Sequence, residues 1–177
     1  MKISNYNPYN KEIGFIEKHL NCDDLIISKT DTEGVIKYAN TTMLRITDSV
    51  QADLIGQKHN ISRHPDMPRA VFKMMWDAIE KGQDFHGFVK NLTKNGAFYW
   101  TYAFITPDFN KSGTIAGYHS ERRAPNPKAI VEIACIYQQL RAKENLLGID
   151  EAIEWFKTEV LQGKTYSAYI HRLQNKH

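Results

Sequence analysis

Two long β-prone segments, residues 85–92 and 97–106, flank the dipeptide Asn95-Gly96. Asn-Gly between such segments is among the strongest short-range signals for a hairpin, because both residues tolerate the positive φ angles of a tight turn. Along the second segment, apolar side chains alternate between two faces, with Phe98, Trp100, Tyr102 and Phe104 on one and Tyr99, Ala103 and Ile105 on the other. Two apolar faces predict a strand with the core on one side and a helix or a partner on the other.

Three further strands are predicted around this hairpin. Residues 25–28 and 35–38 are short β-prone runs separated by a turn sequence, and residues 114–122 form the last run. Between the second and third strands, residues 68–81 have helical periodicity, and Gly82 is well placed to end that helix. This order predicts an α+β domain with five strands and with helices inserted after the second strand.

The two ends of the chain have helical patterns. Residues 1–23 carry Ile13, Ile16 and Leu20 at helical spacing, which predicts an amphipathic cap helix that packs on the sheet or on a second copy of the chain. We therefore divide the chain into an N-terminal helix (1–23), a central domain (24–124) and a helical tail (125–177).

The tail is separated from the central domain by the sequence Ala124-Pro125-Asn126-Pro127. Its apolar positions at helical spacing include Ile133, Ile153 and Phe156. We expect these side chains to lie outside the core of the central domain. They then either pack among themselves or form a docking surface for another protein.

Residues 59–76, HNISRHPDMPRAVFKMMW, carry the densest polar chemistry of the chain. A loop with two imidazoles, a guanidinium and a carboxylate precedes a helix with Phe72 and Trp76, an arrangement that suits a ligand pocket. Ordinary loop and capping roles are the alternative for the same residues. His59, His64 and Asp66 are also a permissible metal-ligand set, but their spacing matches no zinc signature.

The string HN..RHPDMP..F...W closely resembles the flavin-binding PAS domain of the bacterial aerotaxis receptor family. Further motifs of that family follow in the same order: Tyr38-Ala39-Asn40, Gly56-Gln57, Gly87-Phe88-Val89-Lys90-Asn91, Lys94-Asn95-Gly96, Tyr99-Trp100 and Gly117-Tyr118. The resemblance covers roughly residues 24–124. It implies a PAS fold, in which a five-stranded antiparallel sheet carries short helices on one side, here with an N-terminal helix and a C-terminal helical tail.

The resemblance also implies FAD as the cofactor. In that family the equivalents of Asn40, Arg63, His64, Asp66 and Trp76 are associated with FAD binding. A guanidinium can grip a pyrophosphate, an imidazole can bond phosphate or stack near adenine, and a carboxylate can accept from a ribose hydroxyl. An indole can lie against the isoalloxazine. The cofactor-binding residues that we predict are Asn40, His59, Asn60, Arg63, His64, Asp66, Phe72, Trp76, Phe85, Asn91 and Trp100.

Four residues bear on how closely the site follows the family. Asn91 offers an amide that both donates and accepts at the polar edge of the flavin ring. Phe85 stands where the family often has tryptophan, and Ala97-Phe98 replaces a more polar pair. These two departures imply either a retuned flavin or a site without one.

The function implied is redox or oxygen sensing for motility, with the flavin redox state relayed to a separate membrane-bound chemotaxis transducer. We expect a separate transducer because this sequence ends at His177, where aerotaxis receptors continue into an anchor and a signalling region. The alternative is a PAS interaction module without flavin or with another ligand such as haem. An enzyme is not expected, because the sequence has no nucleophile–base pair, metal triad, GxSxG motif or P-loop.

Composition restricts the partners and the location. The formal charge of +3 is spread along the chain, so nucleic acid is not an expected partner. Cys22 and Cys135 belong to no metal motif, and no signal peptide precedes the domain, which favours a reduced cytoplasmic setting. No apolar run approaches the roughly 20 residues that span a bilayer. We expect a cytoplasmic protein that reaches the membrane through its receptor partner, with a homodimer as a further possibility.

Overall fold

A five-stranded antiparallel sheet is the scaffold on which the other elements pack. The computed structural model describes residues 15–176. The strands are β1 (Ile26–Thr30), β2 (Ile36–Ala39), β3 (Phe85–Leu92), β4 (Phe98–Phe109) and β5 (Ile115–Arg123). Their order across the sheet is β2-β1-β5-β4-β3, with every pair antiparallel. The α+β class and the five-stranded antiparallel sheet predicted from the sequence are confirmed.

The β3–β4 hairpin forms at the predicted place. Its register runs from Phe85 opposite Ile105 to Leu92 opposite Phe98. In the turn, Gly96 has a φ of +86°, and its N–H donates to the Thr93 carbonyl at 3.1 Å. Glycine adopts this left-handed conformation at no steric cost, which is why the Asn-Gly signal was informative.

Short helices occupy the stretch between β2 and β3. They are α1 (Thr41–Thr47), α2 (Gln51–Leu54), a 3-10 helix (His59–Ser62) and α3 (Arg69–Ile79). Asn40 caps α1, because its side chain accepts a hydrogen bond from the Met43 N–H. Apolar residues of β1, β2, α1 and α2 form one part of the core together with Leu92 and Tyr99.

The tail consists of α4 (Pro127–Leu147), α5 (Ile149–Trp155), a π-helical segment (Phe156–Leu161) and α6 (Tyr166–Gln174). Ile133 and Phe156 are fully buried and Ile153 is 6% exposed. All three belong to the same apolar cluster as Phe88 of β3 and Val71 of α3. The expectation that these side chains lie outside the domain core was therefore wrong. Between them, β3 and α3 offer enough apolar surface for the tail to pack on.

The tail also covers the edge of the sheet at β3. The Tyr137 hydroxyl donates to the Phe88 carbonyl at 3.0 Å, and the His86 N–H donates to the Ser167 hydroxyl at 3.2 Å. Tyr137 is further hydrogen-bonded to the Tyr166 hydroxyl. Exposed edge strands present unpaired backbone groups that invite association with other strands. Here α4 and α6 satisfy two of those groups.

The segment before β1 differs from the sequence prediction. Residues 15–20 are extended and not helical, with Ile16 73% exposed. The Phe98 N–H donates to the Ile16 carbonyl at 3.0 Å, and the Lys18 N–H donates to the Phe98 carbonyl at 2.7 Å. The predicted helix is wrong for these residues, because pairing with the start of β4 satisfies their backbone. Ile13 and the rest of residues 1–14 lie outside the described residues.

No helix within residues 15–176 is both long enough and apolar enough to cross a membrane.

Candidate functional site

A cavity of about 170 Å³ lies between α3 and the face of the sheet that α3 covers. Its apolar wall consists of Phe72, Met75, Trp76 and Ile79 from α3, and Val89, Ala103, Ile105 and Tyr118 from the sheet. Its polar side chains include Thr30, His59, Asn60, Arg63, Asn91, Ser120 and Arg122. An apolar slot with a few convergent polar groups is the usual form of a small-ligand site.

Six of the predicted site residues meet at this cavity: His59, Asn60, Arg63, Phe72, Trp76 and Asn91. They come from three separate stretches of the chain, namely the loop at 59–63, the helix α3 and the strand β3. The structure brings them together because α3 covers the sheet, with Phe72 against Arg63 of the loop and Trp76 against Tyr118 of β5.

Backbone contacts hold the loop at 59–68 against the edge of β3. Arg63 and Asn91 form an isolated antiparallel bridge, and the His64 N–H donates to the Lys90 carbonyl at 3.3 Å. The Lys90 N–H points to the Met67 sulfur at 3.2 Å. These contacts set the Arg63 side chain beside Asn91 at one wall of the cavity.

Aromatic rings shape the opposite wall. Trp76 lies edge-to-face on Tyr118, with ring centroids 5.5 Å apart. Gly34, at a φ of +76°, lies so close to Trp76 that a Cβ there would be 3.3 Å from the indole. The Arg63 guanidinium lies 4.0 Å from the centre of the Phe72 ring, a cation–π contact, and donates to the Met67 carbonyl at 3.2 Å. Burial lowers the pKa of Arg63, but an arginine stays charged.

Asn91 supplies a buried amide at the sheet side of the cavity. The residue is 4% exposed, and its Nδ2 group donates to the Val89 carbonyl at 3.3 Å. An amide carries two donor hydrogens and an acceptor oxygen, so bonding capacity remains for a ligand.

Arg122, which the sequence analysis missed, lies at the far end of the cavity. It is 3% exposed, and its guanidinium contacts Ser28, Ser120 and His59, the last at 2.9 Å through Nε2. A guanidinium only donates, so Nε2 accepts and the ring proton of neutral His59 resides on Nδ1. Burial, and then the Arg122 charge, lower the pKa of His59 to about 3. Alternate residues of β5 share a face, so Tyr118, Ser120 and Arg122 lie on the same side of the strand. This alternation, counted from the Gly-Tyr motif, is the sequence signal that could have identified Arg122.

Two predicted site residues serve local structure instead of the cavity. The Asn40 side chain caps α1, accepts from the Ile27 N–H and donates to the Leu25 carbonyl. His64 is 4% exposed, accepts from the Asp66 N–H through Nδ1 at 3.0 Å, and has its ring against Phe98. Burial and then Lys90 lower the pKa of His64 to about 4.

Three more predicted site residues also do not line the cavity. Asp66 pairs with Lys90 and with Arg141 of α4, each at 2.9 Å. Phe85 stacks on Tyr166 at 5.1 Å between ring centroids. Trp100 lies on the other face of β4, 6.3 Å from the Tyr137 ring. Both aromatics therefore pack against the tail.

The donor set fits a planar heterocycle with a polar edge better than it fits a metal. Within residues 15–176, no group of three or more His, Cys, Asp or Glu side chains is arranged to hold a metal ion. The cavity instead combines aromatic and aliphatic walls with the Asn91 amide, the His59 ring and two guanidiniums. This combination suits a ring that stacks on apolar side chains and hydrogen-bonds at its rim.

Comparison with known sequences agrees with the fold. Residues 36–120 match the model of a family described as PAS fold. The aerotaxis receptor of Escherichia coli is 38% identical over 120 residues, which cover 68% of this chain and 24% of the receptor. The nitrogen fixation regulatory protein of Klebsiella pneumoniae is 30% identical over 97 residues, or 55% of this chain and 20% of that protein. The chain thus spans about a quarter or less of these relatives.

Solved structures resemble the chain at lower identity. The PAS domain of a protein from Colwellia psychrerythraea superposes with a TM-score of 0.53 at 21% identity, covering 56% of this chain and 85% of that one. The blue-light photoreceptor Aureochrome1 LOV gives 0.54 at 23%, covering 67% and 86%. A light-oxygen-voltage domain studied with a flavin analogue gives 0.53 at 20%, covering 69% and 87%. The chain thus has a PAS fold, and 120 of its residues are similar in sequence to part of the aerotaxis receptor of Escherichia coli.

Proposed function

We propose that this PAS domain binds FAD in the cavity between α3 and the sheet and acts as a redox sensor for a separate chemotaxis transducer. The observation that carries the proposal is the cavity wall, where Trp76 and Phe72 face Val89 and Ala103 beside the Asn91 amide. An isoalloxazine is a flat ring with one apolar and one polar end, which matches this distribution of side chains.

The relatives support the same class of function. The name aerotaxis receptor belongs to a protein that senses for motility, and it is 38% identical over the matched region. One solved neighbour is a light-oxygen-voltage domain whose study concerns a flavin analogue. The receptor's name supports signal transduction as the role, and the solved neighbour shows that a domain of this fold is studied with a flavin analogue.

The residues of this chain have separate tasks in such a site. A bound flavin supplies reversible electron transfer. Asn91 holds the polar edge of the ring through an amide that both donates and accepts, while Val89 and Ala103 exclude water from one side. His59 is neutral and directs Nε2 at Arg122, so the two side chains present a fixed positive charge at the end of the cavity.

Trp76 is the side chain that we expect to move on binding. Drug-sized ligand pockets hold about 300–1,000 Å³, more than the cavity of about 170 Å³ seen here. Trp76 fills the space between Gly34 and Tyr118 near the loop at 58–60. Rotation of this indole would admit a tricyclic ring and then cover it.

The tail supplies a route from the cavity to a partner. Asn91 and Phe88 lie on the same strand, and the Phe88 carbonyl accepts from Tyr137 of α4. A change in hydrogen bonding at Asn91 would therefore shift the strand to which α4 is attached. We propose that the outer surface of this tail contacts the transducer, or a second copy of the chain in the alternative arrangement.

The absorption spectrum of the purified full-length chain tests the proposal directly. Flavin bands in the blue, with FAD released on denaturation, are the expected result. A colourless protein that takes up no added FAD would contradict the proposal and favour an interaction module without flavin. A Soret band would indicate haem, although the one histidine of the described cavity wall has its Nε2 engaged by Ser28 and Arg122.

A further inference from the structure

An open groove adjoins the mouth of the cavity, between the loop at 60–69 and helix α4 of the tail. Asn60 and Arg63 line both the cavity and the groove. The remaining polar side chains of the groove are Arg69 at the start of α3, and Arg141, Glu144 and Asn145 on α4. A ligand that leaves the cavity past Arg63 thus enters a channel whose second wall belongs to the tail.

The charges of this groove are predominantly positive. Three guanidiniums and one carboxylate line it. Glu144 is 5% exposed and is engaged, because it accepts from the Ala70 N–H in the first turn of α3 and lies 3.9 Å from Arg69. Arg141 pairs with Asp66, which also pairs with Lys90. The side chains of Arg69 and Arg141 are 60% and 39% exposed, so both can turn toward a ligand.

We propose that this groove binds the diphosphate of the cofactor, so that Arg69 and Arg141 are ligand contacts and α4 is part of the cofactor site. The inference rests on the proposed flavin function. Arginine forks match pairs of phosphate oxygens, and charge-assisted bonds of this kind are about twice as strong as neutral ones. A ring held in the cavity next to Asn91 places its chain past Arg63 and into the groove.

This assignment differs from the sequence expectation for the phosphates. Arg63 keeps its predicted place, but His64 is buried against Phe98 and Asp66 serves as the counter-ion of Arg141. Arg141 lies 78 positions after Arg63 and outside the region of family resemblance, so no local motif reveals it. A diphosphate in the groove would also tie α4 to the loop at 60–69, whereas a flavin without phosphates would not.

Titration of the ligand-free, full-length chain with riboflavin and with FAD tests the proposal, with bound flavin followed by its fluorescence. We expect the wild type to bind FAD at least tenfold more tightly than riboflavin. Arg141→Gln and Arg69→Gln should each lower FAD affinity about tenfold and leave riboflavin affinity unchanged. ADP should compete with FAD and not with riboflavin. Arg141→Lys, which keeps the charge, should recover part of the loss.

Arg123→Gln is the matched control. Arg123 is exposed on β5, lies 3.8 Å from Glu121 and lines neither the cavity nor the groove. It should change neither affinity. Equal losses for riboflavin and FAD in Arg141→Gln, or no competition by ADP, would overturn the groove assignment while leaving flavin binding intact. A wild type that binds neither flavin would overturn the proposed function and this inference together.

Discussion

Trp76 and Trp100 provide a matched test of the cavity at the scale of single residues. Trp76 lines the cavity, whereas Trp100 lies on the other face of β4 against Tyr137. Trp76→Ala should lower the flavin-to-protein ratio about tenfold or more, because the ring loses its aromatic wall. Trp100→Ala should keep flavin but lower the free energy of unfolding by about 1.5–3 kcal/mol.

Flavin content and urea unfolding of both variants check this prediction. Full flavin content in Trp76→Ala would mean that the ligand lies elsewhere. Loss of flavin from both variants in proportion to unfolded protein would show only that each tryptophan stabilises the fold.

His59 makes the stability of the protein depend on pH. Its pKa falls from an ordinary 6.5 to about 3 in the folded protein. Between these values the unfolded chain binds a proton that the folded chain does not. The free energy of unfolding is therefore highest above pH 6.5 and falls progressively as the pH falls toward 3. One such group gives a slope of up to about 1.4 kcal/mol per pH unit.

Urea unfolding between pH 4 and pH 7 measures this slope. His59→Gln should reduce the slope and leave the part that buried His64 contributes, because glutamine does not titrate. His19→Gln is the control, since the His19 side chain is 80% exposed. An unchanged slope in His59→Gln would contradict the assignment of a neutral, buried His59.

Residues of the candidate site that lie in a sequence motif could be predicted. Residues that only the fold brings near the cavity were missed. Trp76 and Asn91 were found because the resemblance covers them, and the structure places both at the cavity. Asn40 belongs to the same resemblance and Phe85 is one of its departures, yet Asn40 caps α1 and Phe85 stacks on Tyr166. Arg122 was missed, because strand alternation shows which residues share a face but not which face meets the cavity.

At the scale of elements, α4 should be as important to stability as a strand of the sheet. Ile133 is fully buried, whereas Val131 on the same helix is 76% exposed. Ile133→Ala should cost about 2–5 kcal/mol, the usual range for truncating a buried aliphatic side chain. Val131→Ala should change the free energy of unfolding by less than about 0.5 kcal/mol. Equal, small effects would mean that the tail does not pack on the domain in solution.

Removal of the tail after Ala124 extends the same argument. The truncated chain would expose Phe88 and the β3 edge groups now bonded to Tyr137 and Ser167. We expect it to lose cooperative unfolding or to aggregate, which circular dichroism and size-exclusion chromatography would show. A stable, monomeric fragment would restore the view of residues 24–124 as an independent unit.

Secondary-structure elements with a strong local sequence signal could be predicted, whereas those with a weak local signal could not. Asn95-Gly96 fixes a hairpin by turn chemistry that few other conformations share, and the structure has that hairpin. The spacing of Ile16 and Leu20 indicated a helix, but a short isolated helix is marginal and the backbone pairs with Phe98 instead. The apolar positions of the tail were recognised, whereas the surface that buries them depends on how β3 and α3 come together.

At the scale of the whole molecule, the β3–β4 hairpin links the cavity to both flanking segments. Asn91 lines the cavity, Phe88 bonds to α4, and Phe98 of the paired strand bonds to residues 16–18. A change at the Asn91 side of the cavity could thus reach the tail through the Tyr137 hydroxyl, and the segment before β1 through backbone hydrogen bonds. This arrangement supports the proposed assignment of a sensor output to the sheet and its neighbours.

Hydrogen exchange of the flavin-loaded, full-length chain in its oxidised and chemically reduced forms tests that assignment most directly. A unit charge about 4 Å from a polar group, at an effective dielectric near 20, perturbs it by up to a few kcal/mol. We expect reduction to change protection in β3, β4, α4 and residues 15–20, with smaller changes in α3. Asn91→Ala should keep most of the flavin and blunt these changes. Identical exchange in the two redox forms everywhere outside the cavity would contradict the redox-sensor account.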